Sequence, residues 1–206
     1  MLDPLLPDLA DKPATSPFKI LSGSRADADS ALVVNIFGGP GTGKSTLASA
    51  LFCALKQRHI ETACPEEHAK LAIWSSQSWL LDHQPIILGR TWETIYALLD
   101  KVDVIIVDSP ILLCSVYARD REPMCFHQMV SDIHKRTHRI NLLIERDAKI
   151  GYSTNGRRET EREARVVDER IVGTLDAFNE PFVTCSRDQS LVERLAATVA
   201  AAKPSK

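Results

Sequence analysis

The chain has 206 residues, 44% of them hydrophobic and 25% charged. That suffices for one domain with a sizeable core, and it excludes a mostly disordered chain, a collagen-like fibre and a disulfide-stapled miniprotein. Lys and Arg number 25 against 27 Asp and Glu, a formal net charge of −2, so contact with nucleic acid would need a local basic patch instead of a global field.

Residues 1–30 are broken by Pro4, Pro7, Pro13 and Pro17 and read as an irregular arm, with the packed domain at 31–206. The opening MLDPLLPDLADKP lacks the basic start and unbroken apolar run of a secretory signal, and no stretch reaches the ~18 apolar residues of a membrane span. Cys53, Cys64, Cys114, Cys125 and Cys185 form no C-x-x-C pair, which fits a reducing, cytoplasmic setting. From residue 31 onward apolar runs alternate with helical periodicity. Strands are predicted at 31–37, 60–64, 102–108, 139–145 and 181–185. Helices are predicted at 44–57, within 66–100, within 111–136, at 161–178 and from the last strand to about 202. Five short apolar strands separated by helices predict an α/β fold of three layers, a five-stranded parallel sheet with helices on both faces.

Directly after the first strand stands GGPGTGKST, comprising Gly38, Gly39, Pro40, Gly41, Thr42, Gly43, Lys44, Ser45 and Thr46. It satisfies G-x-x-x-x-G-K-[ST] between an apolar strand and an amphipathic helix, the context of a phosphate-binding loop. Its backbone N–H groups and the helix N-terminus favour phosphate. Lys44 is placed to reach the β- and γ-phosphates of ATP, and Ser45 to hold Mg²⁺. The run VDVIIVDSP ends a second apolar strand on Asp108, which reads as the second metal-positioning group; the alternative is a helix cap for the segment near Pro110.

No N-K-x-D guanine motif is present, and the length suits a small kinase of the nucleotide-kinase type. Such an enzyme needs an arginine-bearing lid after its fourth strand. RDAKIGYSTNGRRETEREAR supplies Arg146, Arg157, Arg158, Arg162 and Arg165, and Thr160 with Glu163 forms a capping box for the helix that follows. Arg157, directly after Gly156, is the candidate to neutralise the moving phosphoryl group, with Arg158 beside it; a solvated basic loop is the alternative. After the second strand, CPEEHAK offers Glu66, Glu67, His68 and Lys70. Glu67 is the candidate base for a hydroxyl acceptor, against the plainer role of complementing a helix dipole. Trp74, Trp79, Trp92 and Tyr96 could stack on a base but read first as helix-packing core. Arg90, after Gly89 at an expected helix start, is a candidate phosphate ligand. Lys135, Arg136 and Arg139 either complement a helix end or contact a DNA backbone.

The motifs GGPGTGKSTLASALF, EEHAK, KVDVIIVDSPILL and GRRETEREARVVDERI resemble those of the phage-encoded P-loop kinases, over about residues 33–185. One branch of that family is similar to the 5-hydroxymethyluracil DNA kinases of thymidine hypermodification. The resemblance implies an ATP- and Mg²⁺-dependent kinase, DNA containing 5-hydroxymethyluracil as partner, and a host cytoplasm as its setting. His68 departs from the tyrosine relatives often carry. Three readings compete: a kinase acting on the hydroxymethyl group of 5-hydroxymethyluracil in DNA, to which the resemblance gives first place, a small-molecule nucleoside or nucleotide kinase, and a regulatory NTPase without transfer.

Overall fold

The structure, a computed structural model, describes residues 30–118, 121–147, 152, 159–186 and 190–202; the predicted N-terminal arm, Ser30 apart, lies outside them. Strands β1 (Leu32–Phe37), β2 (Thr62–Ala63), β3 (Val104–Val107), β4 (Arg139–Ile144) and β5 (Val183–Cys185) form one parallel sheet in the order β2-β3-β1-β4-β5. The described helices are α1 (Lys44–Gln57), α2 (His68–Trp74), α3 (Gln84–Tyr96), α4 (Leu113–Ala118), α5 (Met124–His134), α6 (Glu161–Ala177) and α7 (Leu191–Ala202). A 3-10 turn, Ser78–Asp82, joins α2 to α3. The predicted five-stranded parallel sheet with helices on both faces is the fold observed, and β2 is shorter than the predicted 60–64.

All six residues of β1 are buried because both sheet faces are covered. Leu32, Val34 and Ile36 pack with Leu51 and Leu55 of α1 and Leu195 and Val199 of α7. Val33 and Phe37 pack on the other face with Ile87, Ile95, Val130, Val167 and Ile171 of α3, α5 and α6. Burial on two sides explains why the strands read as continuous apolar runs, each large side chain contributing about 1.5–3 kcal/mol. The predicted capping box of α6 is present: Glu163 N donates to Thr160 Oγ1 (3.3 Å) and Thr160 N to Glu163 Oε2 (2.8 Å).

One polar cluster interrupts the apolar face under α5. Arg139 is 5% exposed and grips Glu180 with two bonds, Nε to Oε2 (3.0 Å) and Nη2 to Oε1 (2.9 Å). Asn141 Nδ2 donates to Glu180 Oε2 (3.2 Å), Asn35 Nδ2 donates to Asn141 Oδ1 (3.0 Å), and His134 Nε2 lies 3.4 Å from Glu180 Oε2. Burial pushes the Glu180 carboxyl up, yet the bonds from His134 and Arg139 and their charges outweigh it and hold the group down at about 2. Burial, reinforced by the Arg139 charge, pushes His134 below its ordinary range against the pull of Glu180. Arg139 therefore cannot serve a DNA backbone: its guanidinium is consumed by a carboxylate inside the protein. Lys135 and Arg136 are exposed, but they follow α5 where the chain enters β4, so they sit at the edge opposite the strands' carboxyl ends.

Candidate active site

The carboxyl ends of β1, β3 and β2 lie side by side, and each delivers one part of the predicted chemistry. From β1 the chain turns through residues 38–43 into α1, whose first residue is Lys44. Gly41 and Gly43 take φ of +84° and +86°, a left-handed conformation that side chains disfavour, and this brings the loop tightly onto the helix. Lys44 Nζ donates to the carbonyls of Gly38 (2.7 Å) and Gly39 (3.0 Å), and Thr42 Oγ1 donates to Gly39 O (3.0 Å). Ser45 and Thr46 follow, exposed, in the first turn of α1.

Asp108 follows Val107, whose β1 partner is Asn35, three residues before Gly38. It is 8% exposed and lines a narrow cleft with Glu66, Glu67, His68, Thr91, Thr94 and Ser109 among others. α4 starts at Leu113, five residues after Asp108, and is led in by a turn in which Leu113 N donates to Pro110 O (2.9 Å). Burial, assisted by the Asp108 charge, pushes the Cys64 thiol at the end of β2 up to about 11. Glu67 stands at the N-cap of α2 without a side-chain capping bond and lines the same cleft as Asp108. His68 Nε2 is 3.1 Å from Thr94 Oγ1 and ties α2 to α3. The cleft holds about 20 Å³, room for one water and too little for an acceptor without a local opening. A larger depression of about 450 Å³ runs along α5 and just past its end, by Cys125, Met129 and Arg136, and is lined by neither Asp108, Glu67 nor the phosphate-binding loop.

Two expectations need correction here. Arg90 lies inside α3, whose start is set by Pro85 and whose apolar face, Ile87, Leu88 and Ile95, continues across Gly89; it is exposed and does not line the cleft. Trp74, Trp79 and Tyr96 are 59%, 56% and 66% exposed and so are not core, whereas Trp92 packs against the core as expected. Lys70 Nζ lies 4.7 Å over the Trp74 ring, a use one helical turn away. Arg157 and Arg158 lie outside the described residues. Arg165 pairs with Glu161 on the exposed face of α6.

Sequence reasoning missed three contributors to the site. The Tyr152 ring covers Gly41: a Cβ there would meet its Cδ2 at 2.9 Å. Tyr117 on α4 is half-buried, and burial together with the charges of Glu159, Glu67 and Asp168 pushes its phenol far up. Asp168 of α6 reaches the loop itself, accepting from Gly39 N (2.7 Å) and from Arg146 Nε (2.7 Å). The expected arginine-bearing segment before α6 points to this side of the sheet, and the Thr160-Glu163 signature marks where the helix starts.

The donor set fits Mg·ATP. Ser45 and Asp108 offer the hard oxygens such a cation takes, and the described residues contain no group of three or more His, Cys, Asp or Glu that would hold a metal alone. Among those residues no disulfide links any of the five cysteines, and no helix is long and apolar enough to cross a membrane.

Comparison with known proteins places these features. A family described as "AAA domain" matches residues 33–194. A deoxyadenosine kinase from M. mycoides, solved with dCMP and dCDP, superposes with a TM-score of 0.52 at 13% identity over 82% of this chain and 99% of that one. A NadR protein in complex with NAD and AMP-PNP superposes with a TM-score of 0.57 at 15% identity over 84% of this chain; the match spans 48% of the NadR chain. At such identities the likeness is one of fold. No curated protein matches the sequence.

Proposed function

This chain belongs to the AAA domain family, and from that premise we propose that it is an ATP-dependent phosphotransferase that passes the γ-phosphoryl group to a hydroxyl acceptor. The observation that carries the reading is the alignment of three neighbouring strand ends: the phosphate-binding loop on β1, Asp108 on β3 and Glu67 after β2, the last two in one cleft. When bound, Mg·ATP supplies the phosphoryl donor and the metal charge that offsets its oxygens. Residues 38–46 wrap the phosphates, with N–H groups other than that of Gly39, which Asp168 holds, and Lys44 leaves the Gly38 and Gly39 carbonyls to meet the β- and γ-oxygens. Ser45 and Asp108 hold the cation. Glu67 takes the proton of the attacking hydroxyl, and Arg157, with Arg158 beside it, neutralises charge on the moving group.

For the acceptor, the geometry favours a free nucleoside or nucleotide. The basic residues expected to track a DNA backbone are absent from the site: Arg139 is buried on Glu180, and Lys135 and Arg136 occupy the opposite edge. The fold likeness to a deoxyadenosine kinase accords with this. A second reading, the hydroxymethyl of 5-hydroxymethyluracil within DNA, is supported by the exposed rings of Trp74 and Tyr96 on α2 and α3, which border the cleft, and of Trp79 on the turn between them, all suited to stacking on bases. Incubation with γ-labelled ATP, a panel of nucleosides and monophosphates, and an oligonucleotide containing 5-hydroxymethyluracil separates them. The favoured reading expects faster labelling of a free acceptor. Faster labelling of the oligonucleotide establishes the second, and ATP turnover with no labelled acceptor leaves a regulatory NTPase.

A further inference from the structure

Position 39 is one of the unspecified places in the phosphate-loop pattern, and its backbone shows no positive φ, so neither motif nor conformation demands glycine there. Space does. A Cβ on Gly39 would lie 2.3 Å from Asp168 Oδ1 and 2.8 Å from the carbonyl oxygen of Ala164, which is fully buried one turn earlier on α6. The loop is glycine at this point because α6 is pressed against it.

Asp168 uses both oxygens in that contact. Oδ1 accepts from Gly39 N (2.7 Å), and Oδ2 accepts from Arg146 Nε (2.7 Å). Arg146, directly after β4 and its flanking Glu145, donates from Nη2 to Pro40 O (2.9 Å). The ring is closed: loop backbone to carboxylate, carboxylate to guanidinium, guanidinium back to loop backbone. Its side chains are 12% exposed for Arg146 and 29% for Asp168, sheltered enough for charge-assisted bonds to hold geometry. The Gly39 carbonyl accepts from Lys44 Nζ, so one residue joins α6 through its N–H and the catalytic lysine through its C=O.

We propose that Asp168 is a positioning residue that clasps the lid helix α6 to the phosphate-binding loop and, through Arg146 and the Gly39 peptide, sets the loop for nucleotide phosphates. This rests on the nucleotide-binding part of the proposed function, and it goes further by assigning a coupling between lid and loop to a side chain that touches no reacting atom. Asp168→Ala opens the ring at both bonds, Asp168→Asn keeps the shape and removes the charge, and Arg146→Ala opens it from the other side. Since the three groups act as one network, their effects overlap instead of adding.

The test measures two quantities on the full chain: amide hydrogen exchange of the peptide covering residues 38–46, without nucleotide, and Mg·ATP affinity by calorimetry. Asp168→Ala should speed exchange in that peptide while β1 and β3 stay protected, and it should weaken Mg·ATP about tenfold, mid-range for residues in one hydrogen-bond network. Arg146→Ala should match it, the double variant should be no worse than the worse single one, and Asp168→Asn should fall between. If Asp168→Ala does not fold, the same comparison is read from Asp168→Asn. Exchange in 38–46 as slow as in the parent would overturn the clasp, and unchanged or additive affinities would overturn its role in nucleotide binding. A parent chain that ignores Mg·ATP but shows the exchange response would instead sink the proposed function and leave the clasp standing.

Discussion

Two clusters of charged groups lie at opposite ends of the same strands, and they are built to opposite rules. Arg139, Glu180, His134, Asn141 and Asn35 close on one another at the start of β4, with side chains 6% and 1% exposed for the central Arg139–Glu180 pair. At the carboxyl ends, Asp108 and Glu67 line a shared cleft, Ser45 is exposed, and Lys44 Nζ donates to the loop carbonyls of Gly38 and Gly39, which a phosphate can replace. Charges that satisfy each other within the protein fix the fold; charges aimed into a cleft or held by exchangeable partners are available to a ligand. Substitutions in the two clusters should therefore separate cleanly into losses of stability and losses of turnover.

The largest effect belongs to the closed cluster. Glu180→Gln leaves Arg139 buried without its counter-charge and should cost about 3–5 kcal/mol of unfolding free energy, with Mg·ATP affinity of the folded fraction unchanged. Chemical denaturation with parallel calorimetry checks both halves. Lys44→Ala should lower turnover by on the order of 10²–10³-fold, the scale for losing one preorganised donor to transition-state charge, with a melting temperature close to the parent's. If it instead unfolded the chain at unchanged turnover, the contrast between the clusters would be lost.

A smaller, graded effect follows from protonation of the closed cluster. His134 is held below its ordinary value, so below about pH 6.5 the unfolded chain takes up a proton that the folded chain refuses, and stability falls. Glu180, held at about 2 against an ordinary 4.5, stays ionised in the folded chain while the unfolded carboxyl is protonated, so stability falls further from pH 4.5 toward 2. Denaturation midpoints from pH 7.5 to 3 should decline in both windows, and Glu180→Gln should flatten the lower one. Smallest of all, Thr160→Ala removes the side-chain cap of α6 and should cost about 1 kcal/mol, read as a slightly lower melting temperature.

The same contrast explains what could be read from the sequence. The phosphate-binding loop, the strand ending at Asp108 and the capping box are contiguous patterns, and the parallel sheet follows from apolar runs alternating with helical periodicity. Arg139 misled because it stands in a basic run, while the carboxylate that claims it is 41 residues away. Arg90 misled because Gly89 looks like a boundary, although the apolar spacing passes through it. Asp168 stands inside the GRRETEREARVVDERI motif, but the motif does not say what it contacts, and Tyr117 carries no local signal; only the packing of α6 brings Asp168 to the loop. Trp74 and Trp79 were legible as large apolar residues but not as exposed ones, since α2 buries only Ala72 and the 3-10 turn only Leu80.

The central claim is that the carboxyl ends of β1 and β3 form a Mg·ATP site in which Asp108 acts through the cation. Calorimetric titration of ATP into the parent chain and into Asp108→Asn, each across a series of Mg²⁺ concentrations, tests this most directly. The account predicts that ATP affinity in the parent rises with Mg²⁺, and that Asp108→Asn needs about tenfold more Mg²⁺ for the same gain, as expected when one carboxylate ligand is lost from a site that relies on few. Superimposable Mg²⁺ dependences for the two proteins would contradict it.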